Sequence, residues 1–198
     1  TVLSLEWHNL TTLPDSFTHL TKLINLAISN NSLTALPEDF GNLINLSFLD
    51  LGYNEIAYIP PSIGNLQSLL YLWLFNNQLI SLPDSICDIP LNWSGNDVFS
   101  YPFFAIGGNQ LCEEVDIPSC VANSNNFEIS LNQFYYSFTQ DDPQICDDYV
   151  QGDVNEDGII NILDIVQSVN LILNNEYNQM ADMNQDGIIN VLDIVLVV

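Results

Sequence analysis

Leu69-Leu-Tyr-Leu-Trp-Leu-Phe-Asn-Asn77 alternates leucine with other residues and closes on asparagine. Alternation over so short a run predicts a strand that turns Leu72 and Leu74 to one face and Tyr71, Trp73 and Phe75 to the other. The same pattern stands at Leu46, Leu49, Leu51 and Asn54 and at Leu23, Leu26, Ile28 and Asn31, each 23 residues before the next. Leu10, Leu33, Ile56 and Leu79 keep that 23-residue interval, and each opens a phrase of the form Leu-x-x-Leu-Pro, with Ile replacing Leu in the third. A period of this length marks a solenoid, in which no repeat buries its apolar face alone and stacking supplies the core.

A fifth turn is recoverable at Tyr101, Phe104, Ile106 and Asn109, where the interval from Asn77 is 32 residues, nine longer than the standard one. The extra residues, around Asp88 to Ser100, are expected to bulge from the convex side. The first segment, Leu3, Leu5 and then His8 where asparagine is expected, starts in mid-repeat, so further repeats or a cap are expected before Thr1. Residues 1–120 resemble the leucine-rich repeat family, and the Leu-Pro-Asp-Ser-Phe, Leu-Pro-Asp-Ser-Ile and Gly-Asn-Leu phrases are similar to its plant-type and bacterial forms. The resemblance implies an α/β solenoid of short parallel strands with an irregular convex side. It implies a binding scaffold and leaves the ligand open.

Between the core leucines, the outward columns read Val2, Asn25, Phe48, Tyr71, Phe103; then Ser4, Ala27, Asp50, Trp73, Ala105; then Glu6, Ser29, Gly52, Phe75, Gly107. Phe48, Asp50, Tyr71, Trp73, Phe75 and Phe103 are therefore candidate partner-binding residues on the concave face, for a protein, peptide or glycan. Two other readings stay open: the aromatics support one another across strands, or another part of the chain covers them.

The chain ends on one twelve-residue phrase written twice, Asp153-Val-Asn-Glu-Asp-Gly-Ile-Ile-Asn-Ile-Leu-Asp164 and Asp182-Met-Asn-Gln-Asp-Gly-Ile-Ile-Asn-Val-Leu-Asp193, starting 29 residues apart. Oxygen ligands at positions 1, 3, 5, 9 and 12 with glycine at 6 are the spacing that wraps a short loop around calcium. The first loop offers the side chains of Asp153, Asn155, Asp157, Asn161 and Asp164 and the Ile159 carbonyl. The second offers Asp182, Asn184, Asp186, Asn190 and Asp193 and the Ile188 carbonyl. Without a cation, three carboxylates in each loop would repel one another. After each loop an apolar set follows helical spacing: Ile162, Ile165, Val166, Val169, Ile172 and Leu173, then Val191, Ile194, Val195 and Val198.

Both loops end in Asp, where the usual EF-hand has Glu, and no helical pattern precedes Gly152. Residues 152–198 resemble the dockerin module, type I-like, with the second helix cut short by the end of the chain. The resemblance implies a small all-α module with two EF-hand-like loop-helix calcium motifs, two calcium ions, and a cohesin-like protein partner. In familiar dockerins, loop positions 10 and 11 are small and hydroxylated and carry partner recognition. Here they are Ile162-Leu163 and Val191-Leu192, so these four are the candidate docking residues while the partner's identity is in doubt.

Residues 121–151 break both periods and read as a connecting segment, with Phe127, Phe134, Tyr135, Tyr136 and Phe138 suited to a strand or hairpin docked on the solenoid end. Four cysteines fit an oxidising, extracellular compartment. Cys112 and Cys120 look like a stapled end cap, leaving Cys87 for Cys146, and this is the favoured one of three connectivities. Cys87 with Cys120 also stands, because the two hold similar offsets in successive repeats.

The 198 residues carry 25 acidic side chains against Lys22 alone, a net charge of −24, which argues against nucleic acid and anionic membranes as partners. No signal peptide or membrane span is legible. His8 and His19 read as repeat-surface residues with no nucleophile motif beside them, so no catalytic residue is assigned. The functional expectation is a non-catalytic extracellular interaction protein. The alternative is the targeting part of a secreted polysaccharide-degrading enzyme or assembly whose catalytic module lies elsewhere.

Overall fold

Each leucine-alternating run forms a strand of three residues or fewer, and the strands stack in parallel in chain order: β1 (Val2–Ser4), β2 (Asn25–Ala27), β3 (Phe48–Asp50), β4 (Tyr71–Trp73) and β5 (Phe104–Ala105). The computed structural model describes residues 1–112, 117–134, 138–146, 151–155, 159–174, 176–184 and 187–197. Leu3, Leu26, Leu49, Leu72 and Phe104 stand in register across the sheet, so one residue per repeat enters the core at the same level. Leu26, Leu49, Leu72 and Phe104 have no solvent exposure. That register also fixes Phe48 beside Tyr71 and Asp50 beside Trp73 on the opposite face.

Asparagine sets the stacking distance. Asn54 Nδ2 donates to the Ile28 carbonyl of the preceding repeat and the Leu51 carbonyl of its own, both at 3.1 Å, while its Oδ1 accepts from Leu33 N at 3.0 Å. Asn77 and Asn109 repeat the arrangement, and Asn31 does so against Leu5 and Leu10. A short, planar side chain with two donors and one strong acceptor satisfies backbone groups that the turn out of the strand strands in the interior. On the other side, 3₁₀ turns at Asp15–His19, Phe40–Asn42, Pro61–Asn65 and Asp84–Asp88 bury Phe17, Phe40, Ile63 and Ile86.

The far end of the stack is closed by α1 (Ser119–Ala122), whose Val121 is fully buried. Cys120 on α1 is bonded to Cys87, and Cys112 is bonded to Cys146. The favoured pairing of Cys112 with Cys120 is thereby corrected. Each bridge instead spans 33 or 34 residues, because the cap packs on the Asp84–Asp88 turn of the preceding repeat.

An antiparallel hairpin follows, β6 (Ile129–Leu131) with β7 (Thr139–Asp141), paired Ile129 to Asp141 and Leu131 to Thr139. It lies on the outward face of the parallel sheet. Expected at the solenoid end, it is drawn there by the aromatic surface that the sheet would otherwise leave in water.

By backbone contacts the chain divides into two units, Thr1–Cys146 and Asp147–Val198. The second holds α2 (Ile162–Asn174), a 3₁₀ turn at Gln179–Ala181, and α3 (Val191–Val197). Among the described residues no helix is long and apolar enough to cross a membrane.

Candidate functional site

The outward aromatics of the sheet pack in tilted and edge-to-face pairs. Phe48 meets Trp73 at 4.9 Å between ring centres and Tyr71 at 5.8 Å, and Tyr71 meets Phe103 at 5.1 Å. Such contacts each add to area burial. Only part of this surface is open. Phe75 is fully buried, Trp73 is 6% exposed and Asp50 2%, whereas Phe48, Tyr71 and Phe103 remain half-buried. The expectation of a contiguous exposed patch is therefore corrected for Asp50, Trp73 and Phe75.

The chain's own hairpin is the cover. Leu131 is fully buried with Trp73, Phe75 and Ala105, and Ile129 packs beside them. Tyr53 donates its hydroxyl to the Leu131 carbonyl at 2.8 Å, and Gly107 N donates to the Ile129 carbonyl at 2.9 Å. The Asp142 carboxylate accepts from Asn76 Nδ2 and Ser130 Oγ, both at 2.8 Å. Burial raises the Tyr53 hydroxyl above its ordinary pKa, and Asp142 adds to the shift.

One glycine in the outward column permits this approach. A Cβ on Gly107 would stand 2.5 Å from the Asp142 carbonyl and 2.8 Å from the Glu128 carbonyl carbon, whereas one on Gly52 would meet the Phe75 ring of the repeat body itself at 2.3 Å. Glycine where a side chain should face solvent is a signal of close backbone approach. Position 107 carried that signal for the hairpin, and Gly52 makes room for Phe75.

The inserted segment does not stay on the convex side. Trp93 packs against Phe104 at 4.8 Å, and the chain then rises so that Asp97 accepts from the Tyr71 hydroxyl at 2.9 Å, at the rim of the outward face. Trp73 Nε1 donates to the Pro102 carbonyl at 2.9 Å. Tyr71 and Trp73 carry polar atoms that need partners, and the returning insertion supplies them. Burial alone would raise the Asp97 carboxyl, but the N–H of Tyr101, the Tyr71 hydroxyl and the N–H of Phe99 outweigh it and hold the group below the usual carboxylate range.

In the second unit the two loops repeat one geometry. Asp164 closes the first by accepting Asn155 N at 3.1 Å on Oδ1 and Asn161 N at 2.8 Å on Oδ2; Asp193 closes the second by accepting Asn184 N at 3.2 Å and Asn190 N at 2.9 Å. Position 12 thus ties positions 3 and 9 together in both. Asn161 and Asn190 each donate to the carbonyl at position 7, Ile159 or Ile188, and accept from Leu163 N or Leu192 N at the start of the helix. Asp182 Oδ2 accepts from Gly187 N at 2.8 Å, with Gly187 at φ +82°, and from the Tyr177 hydroxyl at 3.0 Å. The Asn161 N–H, opposed by burial and joined by Asn155 N–H, holds the Asp164 carboxyl below its ordinary pKa.

Asp153, Asp164, Asp182 and Asp193 are all buried. Asp157, Gly158 and Asp186, like Tyr135, Tyr136 and Val198, lie outside the described residues. Among the described residues no group of three or more His, Cys, Asp or Glu side chains converges on one point.

The apolar set of α2 is divided between two environments. Ile162, Val166 and Leu173 are 66%, 53% and 77% exposed, while Ile165 and Ile172 are half-buried and Asp164 and Ser168 are buried, with Ser168 Oγ donating to the Asp164 carbonyl at 2.9 Å. The fully inward positions of α2 are thus polar and turned to the loop, and Val154, Met180 and Ala181 are the buried apolar residues of the unit. Leu163, Val191 and Leu192 are likewise more than half exposed.

Residues 1–56 match the leucine rich repeat family model, and residues 151–198 match the dockerin type I domain model. Both domain types are non-catalytic and serve protein interaction, and dockerin domains bind calcium. No curated protein is significantly similar to the chain. Among solved structures, a Leptospira interrogans leucine-rich repeat protein is 33% identical over 52% of this chain and 24% of its own length, with a TM-score of 0.41. The BIR2 ectodomain of Arabidopsis thaliana is 27% identical over 54% of this chain and 66% of its own, at 0.43. A plant ice-binding protein is 24% identical over 63% and 38%, at 0.46. The chain thus spans about a quarter of the Leptospira protein.

Proposed function

We propose that this chain is an extracellular, non-catalytic interaction protein. Its C-terminal module holds two calcium ions and docks onto a cohesin-like protein, and its repeat body presents a second recognition surface.

The observation that carries the calcium reading is the mirrored pair of buried aspartates, Asp164 and Asp193, each fastening positions 3 and 9 of its loop. With Asp153 and Asp182 they make four buried carboxylates in a segment, residues 147–198, that contains no Lys, Arg or His. Buried carboxylates in a segment that supplies no cationic side chain of its own suit an external cation. An all-oxygen donor set suits a hard ion such as calcium. Asp153, Asn155, Asp157, Asn161, Asp164 and the Ile159 carbonyl would hold one ion, and Asp182, Asn184, Asp186, Asn190, Asp193 and the Ile188 carbonyl the other. Bound calcium supplies the positive charge that the clustered carboxylates lack. The chain's own work is to orient those oxygens and to start a helix directly after each loop.

Docking is supported by the outward apolar residues Ile162, Leu163, Val191 and Leu192, which take the same two positions in both halves and stay in solvent. Repeated exposed apolar pairs beside an ordered loop mark a protein contact surface. Two disulfides support an oxidising compartment.

Calorimetric titration of the full chain with calcium, followed by binding to immobilised cohesin modules with calcium or chelator, tests the reading. Uptake of two ions and calcium-dependent retention are expected. Absence of calcium uptake would defeat it, and uptake without retention would remove the cohesin partner alone.

A further inference from the structure

We propose that the cleft formed by Glu6, Trp7, Gln133 and Phe134, at the first repeat, takes a guanidinium or ammonium side chain from a basic peptide segment. The inference rests on the reading of the repeat body as a recognition module and deepens it by naming the partner's chemistry.

The first observation is backbone conformation. The turn that leaves each strand passes through the left-handed region at one repeat position, Trp7 (φ +61°), Asn30 (+56°), Tyr53 (+51°), Asn76 (+50°) and Gly108 (+66°). Asparagine and glycine suit that region; a bulky side chain there is strained. Tyr53 is recompensed by its hydrogen bond to Leu131 and its contact with Phe75 at 5.5 Å. Trp7 has no such burial. It is 55% exposed and stacks at 5.8 Å, with 16° between planes, on Phe134, which is 72% exposed.

A purely structural account would make this stack a clip for the hairpin. The hairpin is already held by Asp142, Tyr53 and Gly107, and a clip made of two rings that stay mostly in solvent recovers little apolar area. Strain kept at an exposed aromatic residue points to a ligand.

The second observation is the chemistry of the cleft. Its volume is about 560 Å³, within the range of small-ligand sites. Among the described residues its walls are two aromatic rings, one carboxylate and one amide. Ser4 Oγ donates to Glu6 Oε2 at 2.7 Å and orients that carboxylate. Aromatic faces attract cations, tryptophan most strongly, and a guanidinium adds planar stacking and a fork of donors for a carboxylate. A chain of net charge −24, with Lys22 as its one lysine or arginine, concentrates cations at its surface and repels anions. These features favour a cationic ligand over a neutral sugar, which the rings and amide alone would also accept.

The test uses the full chain and three probes: a short acetylated peptide with one arginine in a glycine-serine context, the same peptide with citrulline, and a neutral cello-oligosaccharide. Trp7 is the most exposed of the three tryptophans, so its fluorescence and its indole N–H resonance report occupancy. The arginine peptide is expected to shift both, and the citrulline peptide to bind about tenfold more weakly. By titration calorimetry, which needs no Trp7 reporter, Trp7→Ala and Phe134→Ala are each expected to weaken the arginine peptide about tenfold, and Glu6→Gln several-fold, with hairpin amide exchange monitored in each variant. Equal binding of citrulline and arginine peptides, a response to the oligosaccharide alone, or arginine binding unaltered in Trp7→Ala would each overturn the proposal. The Trp7 response is expected to survive chelation, so its failure is read separately from failure of the calcium module.

Discussion

Asn76 and Asp142, 66 residues apart in the chain, meet at 2.8 Å, the Asn76 amide donating to the Asp142 carboxylate. The same carboxylate oxygen accepts from Ser130, which is fully buried, so one aspartate couples the repeat sheet to the hairpin above it. Asp142→Ala should cost about 1–3 kcal/mol, because it leaves Asn76 and Ser130 without their acceptor. Faster amide exchange at Ile129–Leu131 and a red-shifted tryptophan emission as Trp73 gains water would show it; unchanged protection would mean that the hairpin is held by other groups.

Gly107→Ala places a Cβ inside the backbone of Glu128 and Asp142. The hairpin must then lift or the strand bend, at about 1–3 kcal/mol. Thermal denaturation of this variant beside Gly95→Ala, where the clash is with the Asn92 side chain instead, separates backbone collision from a general glycine effect.

Asn54→Ala removes four hydrogen bonds that link its own repeat to the preceding one. A loss of about 2–4 kcal/mol is expected, since buried backbone groups of Leu33, Ile28 and Leu51 lose a partner. Urea denaturation measures it, and Asn54→Asp, which keeps the acceptor and loses both donors, should recover only part.

The Cys112–Cys146 bridge closes a loop of 34 residues' separation that contains the whole hairpin. Replacing both cysteines by serine should remove about 4 kcal/mol on chain-entropy grounds. Limited proteolysis should then cut the hairpin segment before the repeats; simultaneous cleavage of both would refute that order.

Asp164 has a folded pKa below its ordinary value, so its contribution to the second unit is fully present above the unfolded carboxylate pKa of about 3.9 and is lost as pH falls through the lowered folded value. Helical signal from that unit, followed by circular dichroism with calcium present, should be flat from neutral pH down to the carboxylate range and drop below it. Asp164→Asn should flatten this acid step; a step that persists unchanged would assign it to the other aspartates.

Legibility followed interaction range. The 23-residue interval foretold strand positions and the pairing of Phe48 with Tyr71 and Asp50 with Trp73, because a stacked repeat has no freedom to slip without turning its leucines outward. Asn31, Asn54, Asn77 and Asn109 were equally legible, since each bonds backbone within its own repeat and the one before it. In the loops, the partners of Asp164 and Asp193 lie three and nine residues away, close enough for spacing to reveal them. Phe75 misled the reading: its outward phase was right, yet it is buried, because phase says which way a side chain points and nothing about what arrives above it.

By itself, then, the amino-acid order determined the repeat period, the inward and outward residues of every strand, and the doubled acidic loop. Tertiary structure alone decided that Cys87 joins Cys120, that the insertion climbs to Tyr71, and that β6 roofs Trp73 and Phe75. Those outcomes depend on segments tens of residues apart competing for one apolar surface. The winner is set by how much of that surface each can remove from water, a quantity that no local pattern records.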